Sequence, residues 1–209
     1  ILEQARKHFR ISAEAENDLR IAALEDLEFL GGNQWDAKDL AQRKEDGRPC
    51  LQENKLPAHV RQLENDQRQN RPGIKVRPVD DKADVETAKV RQGLIRSIER
   101  NSNADVAYDR AFGGAVKSRR GWFRILTAFE SPTSFNQEIR FGSIDNPLSV
   151  YGDPGSKEPD GQDMNFGFVS DLISKDEFDA RYPEAKKGNA DEFKSIGDDS
   201  PDWLTEGGF

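Results

Sequence analysis

The sequence predicts an α+β fold: several helices packed on a small, mainly antiparallel sheet, with flexible ends. Three observations predict it. Over most of the first 120 residues, apolar side chains recur at three- and four-residue spacing, as in helices that bury one face. After Gly121 the period falls to two, as in half-buried strands. Beyond Glu184 the chain turns polar and rich in Gly and Asp, a composition that reads as a linker or flexible segment.

Each element can be justified in order. Residues 1–54 read as an N-terminal helix followed by an irregular segment. Ala15, Leu19, Ala22, Ala23, Leu27 and Leu30 form the helix's apolar stripe, and Gly31-Gly32 stops it. Through Asn54 the pattern lapses, with Trp35 as the one large anchor and a turn at Asp46-Gly47-Arg48-Pro49. Residues 55–185 hold the packed α+β region. A helix over Leu56–Gln69 carries a thin stripe of Leu56, Val60 and Leu63 and is otherwise polar, so it must bridge to partners or lie in solvent. Pro72 ends it. Ile74–Val79 alternates as a short strand, confined to an edge by Pro78.

Asp81 or Asp84 caps the next helix, which carries Val85, Ala88, Leu94, Ile95 and Ile98 and closes at Asn101. Ser102-Asn103-Ala104-Asp105 is a capping-box pattern. It opens a helix over Ala104–Val116 with the cleanest periodicity in the chain: Ala104, Ala107, Tyr108, Ala111, Phe112 and Ala115. Phe123, Ile125 and Thr127, then Ile139 and Phe141, alternate across a loose Pro132-containing link and predict an antiparallel hairpin on which that helix packs. Leu148–Tyr151 and Phe166–Ile173 read as further strands. A second capping box, Ser174-Lys175-Asp176-Glu177, opens a short helix that Pro183 ends. Residues 186–209, with Trp203 isolated, read as a polar, flexible tail.

Composition bounds the function. A chain of 209 residues buries roughly 70% of its unfolded surface, so it needs no staples to hold a core. Its charged share is 33% against about 25% in ordinary domains, which leaves much solvated or partner-facing surface. Cys50 is alone, which excludes a disulfide scaffold and reads as a small thiol in a reducing compartment. No apolar run approaches the roughly 18 residues of a membrane-spanning helix. The opening Ile1-Leu2-Glu3-Gln4-Ala5-Arg6 places charge where a signal peptide needs apolar residues. The only methionine is Met164, so residue 1 is not a translation start and the chain is expected to be a piece of a longer protein.

Catalytic chemistry is sparse. His8 and His59 have no Cys or His neighbours at zinc-ligand spacing, and no strand-turn-helix signature supplies a nucleophile. No glycine pair is followed by the Lys-Ser/Thr of a phosphate loop. Asp80, Asp81, Asp84 and Glu86 could hold magnesium, but a helix N-terminus places carboxylates in the same positions as caps, and the capping reading is preferred. Glu158–Asp163 lacks the ligand alternation of a calcium loop and reads as a turn. No cofactor and no catalytic or metal-binding residue is predicted.

Charge is unevenly placed: residues 1–130 carry a net +2 and residues 131–209 a net −10. Two basic clusters stand out, Lys117–Arg124 and the set from Arg61 to Arg77. From them Arg61, Arg68, Arg71, Lys117, Arg119 and Arg120 are the candidate subunit-interface or DNA-proximal residues. The clusters alone do not choose between those roles. If the polar helix faces a neighbouring subunit, its Arg and amide groups are matched by that chain and left in water without it.

The order of several segments resembles a known family. Gly47-Arg48-Pro49, Asn54-Lys55-Leu56-Pro57, Val60-Arg61-Gln62 and Asn65–Pro72 are similar to the portal (head–tail connector) proteins of short-tailed bacteriophages. The likeness runs on through Ile74–Val79, Ala83–Ala88, Gly121-Trp122-Phe123-Arg124 and Asn146–Tyr151 to Asp176-Glu177-Phe178 and Tyr182-Pro183, covering roughly residues 25–185 in co-linear order. Gly113-Gly114, inside a helix, departs from the pattern. The resemblance implies a non-enzymatic structural ring, usually a dodecamer, at one capsid vertex of a phage or prophage. It implies double-stranded DNA passing through without sequence preference during packaging and genome ejection. The terminase large subunit, head–tail adaptors and coat or scaffold proteins are the implied partners, with no membrane. It places the protein in the virion after assembly in the host cytoplasm. This chain would be the front, wing-like region, with the stem and clip beyond it. Two rivals from other classes remain: a metal-dependent nucleic-acid-processing domain built on Asp80, Asp81 and Glu86, and an independent DNA-binding module.

Overall fold

The computed structural model describes residues 2–71, 73–79, 84–158, 160–171 and 173–183. The chain divides into two compact units, Ile1–Val169 and Ser170–Phe209. In the first unit, helix α1 (Leu2–Gly31) opens the fold. Gly32, at φ +115°, takes the turn that stops it. Its buried face is Ser12, Glu16, Arg20 and Ala23. Ala15, expected on the inner stripe, is exposed because this face meets polar partners rather than an apolar core.

Helix α2 (Ala37–Glu45) occupies the segment expected to be irregular. It buries no residue, so it left no apolar period to read. End chemistry holds it instead: the Lys38 N–H donates to Asp36 at 2.8 Å, and the Arg48 N–H closes back on the Arg43 carbonyl across left-handed Gly47. The Arg43 guanidinium lies 4.9 Å from the Trp35 ring centroid.

Helix α3 (Leu56–Gln69) has the predicted bounds and no fully buried residue. Asn54 ties its start to the end of α1, donating to the Leu30 carbonyl at 2.7 Å and accepting from the Leu56 N–H at 3.2 Å. The predicted strand at Ile74–Val79 is absent. The segment is extended, but its partner is one side chain of helix α4 (Val85–Asn101). Gln92 accepts from the Val76 N–H at 2.7 Å and donates to the Ile74 carbonyl at 2.5 Å, the pair of bonds a neighbouring strand would make. Of the two expected caps of α4, Asp84 does the work; Asp80 and Asp81 lie outside the described residues.

The capping box at Ser102–Asp105 does not form. Only Ser102 and Asn103 join α4 to helix α5 (Ala104–Ser118), and Asn103 reverses the chain at φ +49° with no side-chain cap. Ser102 is drawn into the end of α4, and its hydroxyl is buried with no hydrogen-bond partner among the described residues. Ala115 is exposed, against its expected place on the inner stripe, because the buried face passes through Gly113 and Ser118. The glycine pair does not interrupt α5. A Cβ on Gly113 would stand 2.9 Å from the Glu64 carboxylate, and one on Gly114 3.2 Å from the Arg120 carbonyl. The chain leaving α5 folds back so closely that a Cβ on Gly121 would overlap the Ala111 carbonyl. These glycines allow close approach.

Strands β1 (Phe123–Phe129) and β2 (Gln137–Ser143) form the expected antiparallel hairpin, with Ile125 opposite Phe141 and Thr127 opposite Ile139. Tyr108 of α5 meets Phe123 and Phe141 edge-on at 5.3 and 5.5 Å between ring centroids. That covers one end of the hairpin's apolar face; Ile125 and Phe129 remain 64% and 57% exposed. A second small sheet pairs β3 (Val150–Gly152) with β4 (Gly167–Val169), with Tyr151 opposite Phe168. Here α1 supplies the cover: Phe9 packs on Tyr151 and Phe168, and His8 stacks on Phe166 at 4.4 Å. Tyr151 is wholly buried. In the second unit, α6 (Lys175–Arg181) starts at the predicted box, the Glu177 N–H donating to the Ser174 hydroxyl at 3.2 Å. The tail 186–209, Trp203 included, lies outside the described residues.

Candidate functional site

The basic clusters lie along α3, the end of α5 and the turn after it, and the acids they meet decide what they can do. Helices α3 and α5 run antiparallel, joined by charge. Arg71 donates to both Asp109 oxygens at 2.8 Å and pairs with Asp105 at 2.6 Å. Arg68 reaches the same Asp109 at 3.1 Å, and Lys117 pairs with Glu64 at 2.7 Å beside Gly113. Arg119, in the left-handed position that ends α5, donates to Asp26 of α1 at 2.7 Å. Arg61 donates to the Pro57 carbonyl of its own helix. Five of the six candidate cations therefore spend their charge on acids of the same chain. Arg68, expected to lie in water without a neighbouring subunit, is half exposed and at the same time paired with Asp109 of its own chain. Asp109 is placed four residues after Asp105, on the next turn of α5, where it meets Arg68 and Arg71 from α3.

Arg120, the fifth of these, pairs with Glu16 of α1 and leads to a centre that the sequence reading missed. Glu16 on α1 is 7% exposed and Arg20, one turn on, 2%. Glu16 accepts from Arg20 at 2.7 Å with one oxygen and from Arg120 at 2.5 Å with the other, while the Gly152 N–H approaches the second oxygen at 3.4 Å. Arg20 also donates to the Leu148 and Val150 carbonyls, with its guanidinium 3.9 Å over the Tyr151 ring. One carboxylate and two guanidinium groups thus fasten α1, the turn after α5 and β3 together. Burial pushes the Tyr151 phenol up to about 12. The available signal was a Glu and an Arg four apart on a helix face flanked by Ser12 and Ala23, which alone looks like a solvent pair.

Asp84, Asp153 and Asp163 cap and tie local structure. Asp84 accepts from the Glu86 N–H and the Thr87 hydroxyl at 2.8 and 2.7 Å, and these bonds hold its pKa below the usual value. In the loop between β3 and β4, Asp163 accepts from the Lys157 N–H and the Ser156 hydroxyl, both at 2.6 Å. Asp153 accepts from the Gly155 N–H at 2.8 Å and from the Asn165 side-chain amide at 2.9 Å. Both carboxylates are held below their usual range by those hydrogen bonds. This is the predicted turn, tied by its own aspartates. Among the described residues no group of three His, Cys, Asp or Glu side chains could hold a metal ion, and no helix is long and apolar enough to cross a membrane.

Comparison with known proteins adds the identity of the family. The profile of phage P22-like portal proteins matches residues 6–207. A portal protein of Acyrthosiphon pisum secondary endosymbiont phage 1 is 27% identical over 191 residues, which cover 86% of this chain and 26% of that protein. The chain thus spans about a quarter of the length of this curated relative. With a match that runs through most of the chain, from within α1 to beyond α6, the chain belongs to the family of phage P22-like portal proteins.

Proposed function

We infer that this chain is the front part of a subunit of a phage portal ring, a non-enzymatic component of one capsid vertex. The observation that carries this reading is the match over residues 6–207, which takes in nearly every described element. The structure is compatible with it in one further respect: the charged side chains with the best-defined partners tie helices to one another, as a structural subunit requires. In the assembled particle, DNA passes through the ring without sequence preference, the packaging motor docks on parts beyond this chain, and tail adaptors replace it. Coat and scaffold proteins surround the ring, which assembles in the host cytoplasm. Within this chain, Arg68, Arg71, Lys117, Arg119 and Arg120 act first as internal ties. Arg61, bonded only within its own helix, is the candidate cation best able to meet a neighbouring subunit or DNA.

Electron microscopy of the full-length protein tests the reading. Closed rings with a central channel are expected. A protein that stays monomeric at concentrations far above micromolar, or one that cleaves DNA with magnesium, overturns it.

A further inference from the structure

Most of the basic side chains described above are answered by an acid of a neighbouring helix. One group is not. Lys89, Arg96 and Arg100 recur at seven- and four-residue spacing, so they share one face of α4, and all three are exposed. Lys75 and Arg77, also exposed, extend from the segment that Gln92 holds against the same helix. None of these five makes an ion pair among the described residues. Between the helix and the segment lies an open groove of about 440 Å³ with Val76, Pro78, Val85 and Ala88 in its lining and Lys89 and Arg96 among its polar members. Val85, in that lining, is 55% exposed.

The same unit carries a patch of opposite sign. In the loop between β3 and β4, Asp153, Glu158, Asp160 and Asp163 make no ion pair among the described residues. Glu158, Asp160 and Asp163 are exposed. The loop is already shaped by the bonds to Asp153 and Asp163, so docking it costs little ordering entropy. The two patches belong to different parts of the unit: α4 packs against α5 and β2, whereas β3 packs against α1. None of the five cations pairs with any of the four acids within the chain.

We propose that the α4 groove receives the acidic β3–β4 loop of a second copy of this chain, a head-to-tail contact between two unlike surfaces. Such a contact leaves each molecule with one open groove and one open loop, and therefore propagates into a ring when the rotation closes. The apolar lining favours a polypeptide occupant over a phosphate backbone, which offers it nothing to bury. The inference rests on the ring reading above and names the surfaces that reading leaves open.

The test uses the full-length protein, with assembly followed by sedimentation velocity and folding by thermal melting. Arg96→Glu with Arg100→Glu raises the concentration at half-assembly about tenfold or more, because like charges then face each other across the contact. Glu158→Lys with Asp160→Lys does the same from the other side. A chain carrying all four substitutions recovers assembly at least in part, since the two reversed charges of the groove then meet two reversed charges of the loop. Lys89→Glu, on the same helix face, gives a second reading of the groove with the same expected direction. If either double variant assembles at the wild-type concentration, or the fourfold variant fails to recover, the inference is wrong while wild-type rings keep the portal reading intact. If the wild type itself forms no ring, the portal reading fails first. If Arg96→Glu with Arg100→Glu leaves rings unchanged but abolishes retention of a DNA duplex on a filter, the groove serves nucleic acid and the proposal is overturned.

Discussion

The two small sheets of this molecule are covered in opposite ways. The β1–β2 hairpin is the longer, seven residues a strand, and reads clearly in the sequence. Yet only its Phe123–Phe141 end meets α5, and Ile125 and Phe129 stay largely in solvent. The β3–β4 pair has three residues a strand and a faint pattern, but it carries the wholly buried Tyr151 and the Glu16–Arg20–Arg120 ties. Strand length and regular alternation therefore do not locate the best-protected part of this fold. A helix with a charged inner face does.

The sharpest way to break that comparison is to remove the carboxylate. Glu16→Ala leaves the Arg20 charge buried without its carboxylate and is expected to cost about 3–5 kcal/mol. Asp26→Ala, which frees Arg119 where both side chains are about half exposed, is expected to cost about 0–1 kcal/mol. Urea unfolding of both variants gives the contrast, and equal losses would mean the buried centre is no more than a surface pair. Next in size, Tyr151→Ala empties a closed site and is expected to cost about 3–4 kcal/mol, against less than about 1 kcal/mol for Ile125→Ala on the open hairpin face. A reversal of that order would show the hairpin face to be covered in solution.

Phe112 tests the joint between the two regions. Its period placed it in the core of α5, where truncation costs about 3–5 kcal/mol, but it is only half-buried, so about 2 kcal/mol is expected. A full core-sized loss would restore the sequence-based view of that face.

The smallest effect is the acid response of the β3–β4 loop. Asp153 and Asp163 have folded pKa values below the usual 3.8, so their stabilisation is complete above that value and is lost as pH falls through the folded pKa. Backbone amide signals of Gly155 and Lys157 should therefore shift only below about pH 4, and Asp163→Asn should abolish the Lys157 response. A midpoint at or above the ordinary value would show those hydrogen bonds to be absent.

What the sequence made legible follows from where its interior is apolar. Helices α3, α4 and α5, the hairpin and the Ser174 cap were readable because their spacing, turns or caps left local marks. Helix α2 buries nothing and left no period, so it was not. Ile74–Val79 has the alternation of a strand, but alternation cannot reveal that its partner is Gln92 rather than another strand. The Ser102–Asp105 box failed because two linking residues force Asn103 into a left-handed turn. At the candidate site the cations were legible as clusters, but their acids were not: Asp109 is 38 residues from Arg71 and Glu16 is 104 from Arg120. Charges become a site only when the fold chooses their partners.

The Gln92 clasp has a consequence for how the chain breathes. In an ordinary ladder, protection from hydrogen exchange is shared along a strand and lost cooperatively. Between Gly73 and Val79, the Val76 amide is held by a single side chain that a helix contributes. Val76 should therefore exchange slowly as an isolated position, on the schedule of α4, while Lys75 and Arg77 beside it exchange freely. One amide's lifetime would report whether the segment is latched or adrift, and the chemistry of one glutamine would set it.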